Sequence, residues 1–174
     1  MALHITKEDI TAMSVDAIVN AANWELKNYA SRRGGGVCGA IFRAAGNTEM
    51  QAACDAIGYC QTGQAVITKG FALQAEYVIH AVGPKHKAGD KNQATLLRNC
   101  YVHALDLATG NHLKTIAFPL ISSGIYGYPK EEALKIALEA IQDWLDANDE
   151  KMTVYLCILD EELYAMAENW LNED

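Results

Sequence analysis

Long apolar runs are absent from this chain: no stretch of about 18 residues reads as a membrane-spanning helix. Residues Met1 to Ile10 carry Lys7, Glu8 and Asp9 and lack the apolar segment of a secretory leader. No membrane partner is expected, and the cytoplasm is the favoured compartment. Cations are scarce too. The 14 Lys and Arg against 22 Asp and Glu leave a formal net charge of −8, which repels polyanions at long range and makes nucleic acid an unfavoured partner. The five cysteines, Cys38, Cys54, Cys60, Cys100 and Cys157, include no C-x-x-C pair, and their odd count makes a poor disulfide framework. They read as reduced thiols. His4, His80, His86, His103 and His112 do not cluster with them, so neither a metal nor another cofactor is expected. Two nucleotide signatures are also missing. No lysine follows a glycine loop as in a P-loop, and no G-x-G-x-x-G opens a dinucleotide fold, which argues against triphosphate hydrolysis and hydride transfer.

What is present is 174 residues, 51% of them apolar, enough for one domain to bury its own core. Residues 1–174 are expected to form that single domain, with a monomer as the default. Short runs rich in β-branched residues predict strands at Asp16–Asn20, Gln64–Thr68, Glu76–Val82, Thr115–Phe118 and Met152–Ile158, with a weaker one at Leu3–Ile5. Helical patterns lie between them. Val37–Ala45 closes at Gly46, and Thr48–Ile57 has capping-box spacing at Thr48 and Gln51. A helix from about Asn92 to Thr109 is stopped by Gly110, another opens at Pro129 in the first helical position, and the last starts from Asp160 as N-cap. The alternation predicts an α/β fold, a three-layer α/β/α arrangement around a central mixed β-sheet, with a ligand crevice at the carboxyl ends of the strands.

Two loops carry the chemistry. The first runs from Val19-Asn20-Ala21-Ala22-Asn23 through a polar insert to Gly34-Gly35-Gly36-Val37-Cys38-Gly39-Ala40-Ile41, where a helix opens. Glycines let a ligand touch the backbone, and a helix start offers unpaired N–H groups to an anion. The second, Phe118 to Pro129, contains Ser122-Ser123-Gly124-Ile125-Tyr126-Gly127 and can form a similar nest, with Tyr126 or Tyr128 covering a sugar or base. Each alone could be a plain turn. Together, at two strand-to-helix junctions, they point to a phosphorylated, nucleotide-type ligand.

In order along the chain, Asp9-Ile10-Thr11, Ala17 to Asn23, Gly34 to Gly46, Thr62 to Ala65, Tyr77 to Pro84 and Phe118 to Pro129 make the sequence resemble a macro domain, the ADP-ribose-binding module. The resemblance implies a ligand that is ADP-ribose or an ADP-ribosylated protein or metabolite. It implies that Asp9 accepts a hydrogen bond from the adenine amino group, with Ile10 adding a backbone contact, although Asp9 could simply cap a turn. Ser122, Ser123, Gly124, Ile125 and Tyr126 would wrap the diphosphate. Gly35, Gly36, Val37, Cys38 and Ile41 would close the other side, with Ala22 and Pro119 completing the set. Asn23 would hold the distal ribose, its alternative being a turn residue that bonds its own backbone.

The resemblance is to the bacterial ADP-ribosyl hydrolase and O-acetyl-ADP-ribose deacetylase type, with Asn23 and Cys38 as candidate catalytic residues. Many catalytic members have Asp where this chain has Cys38. A thiol accepts hydrogen bonds poorly unless ionised. A helix N-terminus could lower its pKa, or the residue could be a small packed side chain lining the ribose pocket. Some viral members that hydrolyse ADP-ribose esters also carry Cys there. The alternatives are therefore a hydrolase, a non-catalytic ADP-ribose reader, and an RNA or poly(ADP-ribose) end binder that the acidic charge disfavours. Trp24 to Arg33 is longer than the family pattern suggests and is expected either to cover the distal ribose or to be a solvated excursion.

Overall fold

The computed structural model describes residues 2–29 and 36–173 of the chain. Strands β1 (Leu3–Thr6), β2 (Ala17–Ala22), β3 (Ala65–Lys69), β4 (Tyr77–Val82), β5 (Thr115–Phe118) and β6 (Thr153–Cys157) form one mixed sheet in the order β1-β6-β5-β2-β4-β3. Helices α1 (Val37–Ala45), α2 (Asn47–Ile57), α3 (Gln93–Gly110), α4 (Lys130–Ala147) and α5 (Glu161–Asn172) cover its two faces. No helix among the described residues is long and apolar enough to cross a membrane.

The central strands are apolar on both faces because both are covered. On β2, Ala17 and Val19 enter the core shared with α3, α4 and α5, while Ile18 and Ala22 enter the core shared with α1 and α2. Successive residues thus supply opposite layers. On β4, Ile79 and Ala81 face the first layer and Val78 and Val82 the second.

Topology places the candidate loops. Among the described residues five strands run parallel, through the pairs β1/β6, β6/β5, β5/β2 and β2/β4, and only β3 is antiparallel to its neighbour. The carboxyl ends of β1, β2, β4 and β5 therefore share one edge of the sheet. Since β2 and β5 are direct neighbours, with Ala17 opposite Ile116 and Ile18 opposite Ala117, their following loops emerge side by side.

Several expected boundaries move, each for a local reason. β2 continues through Ala21 and Ala22, whose low β propensity hid them. Gly46 ends α1 and is also the N-cap of α2, so Thr48 falls inside the helix and the expected capping box with Gln51 does not form. Gly110 lies within the last turn of α3, capped by Asn111, and Pro129 is the N-cap of α4 rather than its first residue. Asp160 caps α5 as expected, accepting from Leu163 N at 3.0 Å.

Candidate ligand site

Loop one begins where β2 ends, at buried Ala22. Asn23 then clamps the next turn: its Nδ2 donates to Lys27 O at 2.7 Å, Lys27 N donates to its Oδ1 at 3.1 Å, and Leu26 N donates to its own carbonyl at 3.0 Å. Leu26, at φ 57 and buried, pins the turn to the core. Gln51 on α2 donates to Leu26 O at 2.9 Å and accepts from Asn28 N at 3.0 Å, while Cys60 N donates to Trp24 O at 2.9 Å. Residues 24 to 28 are therefore strapped onto α2 rather than poised as a lid. Residues 30 to 33 of the excursion, and the expected ligand residue Gly35, lie outside the described residues.

Gly36, at φ 91, is the N-cap of α1, a conformation in which Gly avoids the Cβ clash. Val37 and Cys38 form the first turn, where backbone N–H groups have no intrahelical acceptor and the dipole favours an anion. Ile41 is fully buried behind them. Burial pushes the Cys38 thiol above its ordinary pKa, against the opposing hydrogen bond from Asn20 Nδ2 at 3.7 Å. Desolvation thus acts against the acidification that a helix start alone would give. Cys38 is a half-buried thiol packed on the second core.

Loop two leaves β5 through buried Pro119. Ser122 takes φ 67, unusual for a residue with a Cβ. Its buried hydroxyl has no hydrogen-bond partner among the described residues. That side chain fills the space beside Gly83, where any Cβ would collide with Ser122 Oγ and Ile121. The loop is braced within itself by Ser123 Oγ donating to Leu120 O at 2.8 Å, Gly127 N to Gly124 O at 2.9 Å and Tyr128 N to Ser122 O at 2.9 Å. Gly124 and Ile125 are exposed, and their N–H groups donate to nothing among the described residues. Tyr126 is half-buried, with its carbonyl accepting from His86 N at 2.8 Å and Lys85 Nζ 5.6 Å from its ring. Of the two tyrosines proposed to cover a ligand, Tyr128 is excluded: it is 6% exposed, in the first core, its ring edge-on to His86.

On the same edge, after β1, Asp9 caps a short 3-10 turn (Ile10–Ala12), its Oδ1 accepting from Thr11 N at 2.9 Å and Thr11 Oγ1 at 2.8 Å. The turn packs against α1. Asp9 is exposed and Ile10 buried. The structure thus brings Asp9, Asn23, the start of α1 and residues 119 to 126 to one rim at the carboxyl ends of the parallel strands.

Residues 19–137, more than half of the chain, match the family model described as the macro domain. The chain belongs to the macro domain family. It is 48% identical over 162 residues to a macro domain-containing protein of Chlorobaculum tepidum, covering 92% of this chain and 91% of that one. It is 46% identical to an O-acetyl-ADP-ribose deacetylase of Salmonella newport, covering 94% and 92% of the two chains. The crystal structure of a Trypanosoma brucei macrodomain in complex with ADP-ribose superposes with a TM-score of 0.84 at 36% identity, covering 98% of this chain and 69% of that one.

Some residues that shape the rim of this macro domain carry no local sequence signal. Tyr101 on α3, fully buried, accepts from Ile121 N at 3.0 Å through its hydroxyl, which also lies 3.5 Å from Pro119 O, and so holds the base of loop two. Gln51 straps loop one. A lone Asn within an apolar strand was the available signal for Asn20, which bonds both His80 and Cys38. His80 is the satisfied core residue expected, 0% exposed and bonded to Thr68 and Asn20.

Proposed function

We propose that this macro domain binds ADP-ribose along the rim and hydrolyses esters of its distal ribose, either O-acetyl-ADP-ribose or ADP-ribose on acidic side chains. The observation that carries the reading is the presence of two open backbone surfaces, the first turn of α1 and the Gly124–Ile125 tip, in the connections that follow the adjacent parallel strands β2 and β5. A diphosphate needs such a cradle, and neutral N–H donors supply it without altering an acidic chain's net charge. The Salmonella and Trypanosoma proteins support the ligand and the reaction class.

In this reading Asp9 keeps the turn in place with Oδ1 and offers Oδ2 to the adenine amino group, with Ile10 beside it. Ser122, Ser123, Gly124, Ile125 and Tyr126 wrap the diphosphate above Pro119, and Gly35, Gly36, Val37 and Ile41 close the opposite wall. Asn23 reconciles its two roles by valence. An amide has two N–H groups and two oxygen lone pairs; Lys27 takes one of each, which orients the side chain and leaves one of each for ribose hydroxyls beside Ala22. Catalysis then rests on Asn23 and the loop backbone orienting water and stabilising developing negative charge. Cys38 contributes as a neutral thiol at the ribose rather than as a base.

The protonated Cys38 favours a second reading, a binding module without turnover. Asn23→Ala separates the two. A hydrolase loses turnover on O-acetyl-ADP-ribose by more than tenfold with a smaller change in ADP-ribose affinity, whereas a binding module shows no ester cleavage above background in the parent chain. Asp9→Ala should weaken ADP-ribose binding by about 1 to 3 kcal/mol; unchanged affinity by calorimetry would displace adenine from this end.

A further inference from the structure

Beneath α1 lies a file of polar side chains that the ligand reading leaves unused. Asn20, 1% exposed, is in register with His80 on the neighbouring strand. Its polarity can be worked out from the far end. Thr68 Oγ1 lies 3.1 Å from the Lys69 carbonyl and 3.4 Å from Met50 Sδ, both acceptors, so its one hydrogen is directed away from the ring and the oxygen accepts from His80 Nε2 at 3.0 Å. Burial holds the His80 pKa down at about 4, so the ring is neutral and Nδ1 is a bare acceptor. Asn20 Nδ2 donates to it at 3.0 Å and, with its second hydrogen, to Cys38 Sγ at 3.7 Å. The sulfur is therefore an acceptor on its Asn20 side. Its own proton therefore points away from Asn20, and Cys38 itself stands in the first turn of α1.

We propose that Asn20 is a positioning residue: the Thr68–His80–Asn20 chain fixes the Cys38 thiol as a hydrogen-bond donor toward an oxygen of the bound ligand. The identity of that ligand rests on the function proposed above. This residue set replaces proton abstraction at this position with donation, which turns a thiol's weakness as an acceptor into a defined role.

A double-mutant cycle tests it, using calorimetry with ADP-ribose on the full chain. Asn20→Ala is expected to weaken binding about threefold to tenfold, and less than about twofold when Cys38 is already Ala, because its effect passes through the sulfur. Cys38→Ser, which keeps a hydroxyl donor, recovers most of what Cys38→Ala loses. Equal losses from Asn20→Ala in both backgrounds would mean a general packing role and overturn the proposal. A second readout needs no ligand: the pH profile of Cys38 alkylation by iodoacetamide, followed on its peptide by mass spectrometry. Among the described residues, the groups facing the sulfur are Asn20 and the Cys54 thiol of α2, with neutral His80 behind Asn20. Losing the Asn20 donor moves the profile to higher pH, and Thr68→Val, which cuts the chain at its origin, moves it the same way should Asn20→Ala fail to fold. An unmoved profile overturns the proposal even if the parent chain fails to bind ADP-ribose, a failure that by itself would refute the proposed ligand alone.

Discussion

Acidification from about pH 7 to about pH 4.5 should remove about 2 to 3 kcal/mol of folding stability through one side chain, His80. The ring is 0% exposed, and burial takes its pKa from 6.5 to about 4. In the window between those values the unfolded chain holds a proton that the folded chain does not, so stability falls as pH drops through 6.5. The loss levels off near pH 4, where the folded ring also protonates. Carboxylates titrate over the same range, so the quantity to follow is the difference between the parent chain and His80→Gln, which keeps polar atoms facing Asn20 and Thr68 but does not titrate. Urea unfolding at about pH 7, 5.5 and 4.5 gives it. The parent's advantage should shrink toward low pH, approaching about 1.4 kcal/mol per pH unit well below 6.5. A difference independent of pH would refute the assignment of His80 as a neutral member of a buried chain.

Tyr101→Phe should cost about 1 to 3 kcal/mol in urea unfolding, because Ile121 N loses its buried acceptor, and ADP-ribose binding should weaken with it as the base of loop two loosens; a neutral change would remove Tyr101 from the site's support. Ser122→Gly should stabilise the fold by about 1 kcal/mol, since φ 67 suits glycine and the unpartnered hydroxyl disappears. Thermal melting checks it, and destabilisation would show that the Ser122 side chain's packing against Gly83 outweighs its strain.

The layers were legible in the sequence wherever burial on both faces makes a strand apolar on both sides, as at Tyr77 to Val82 with His80 the one interruption, or where a helix repeats its apolar face, as at Leu134, Leu138, Ile141 and Leu145. Helix ends were less so, because Gly46 serves two helices at once and leaves Thr48 nothing to cap. The glycine-rich rim announced itself through residues whose chemistry is local. Its supports did not: Tyr101 meets loop two 20 positions away and Gln51 meets Leu26 25 positions away, contacts that only the folded sheet creates. Cys38 shows the same division. A helix start, visible in sequence, predicts a more acidic thiol, whereas the packing of α1 on the second core, invisible there, makes it less acidic.

The measurement closest to the central claim is a calorimetric titration with ADP-ribose, followed on the same preparation by assay of ADP-ribose release from a glutamate-modified protein and from O-acetyl-ADP-ribose. Saturable one-to-one binding, and release from at least one of the two esters despite the protonated Cys38, is the expected result. Binding without release from either would contradict the hydrolase and leave a reader, and absence of binding would contradict the ligand assignment itself.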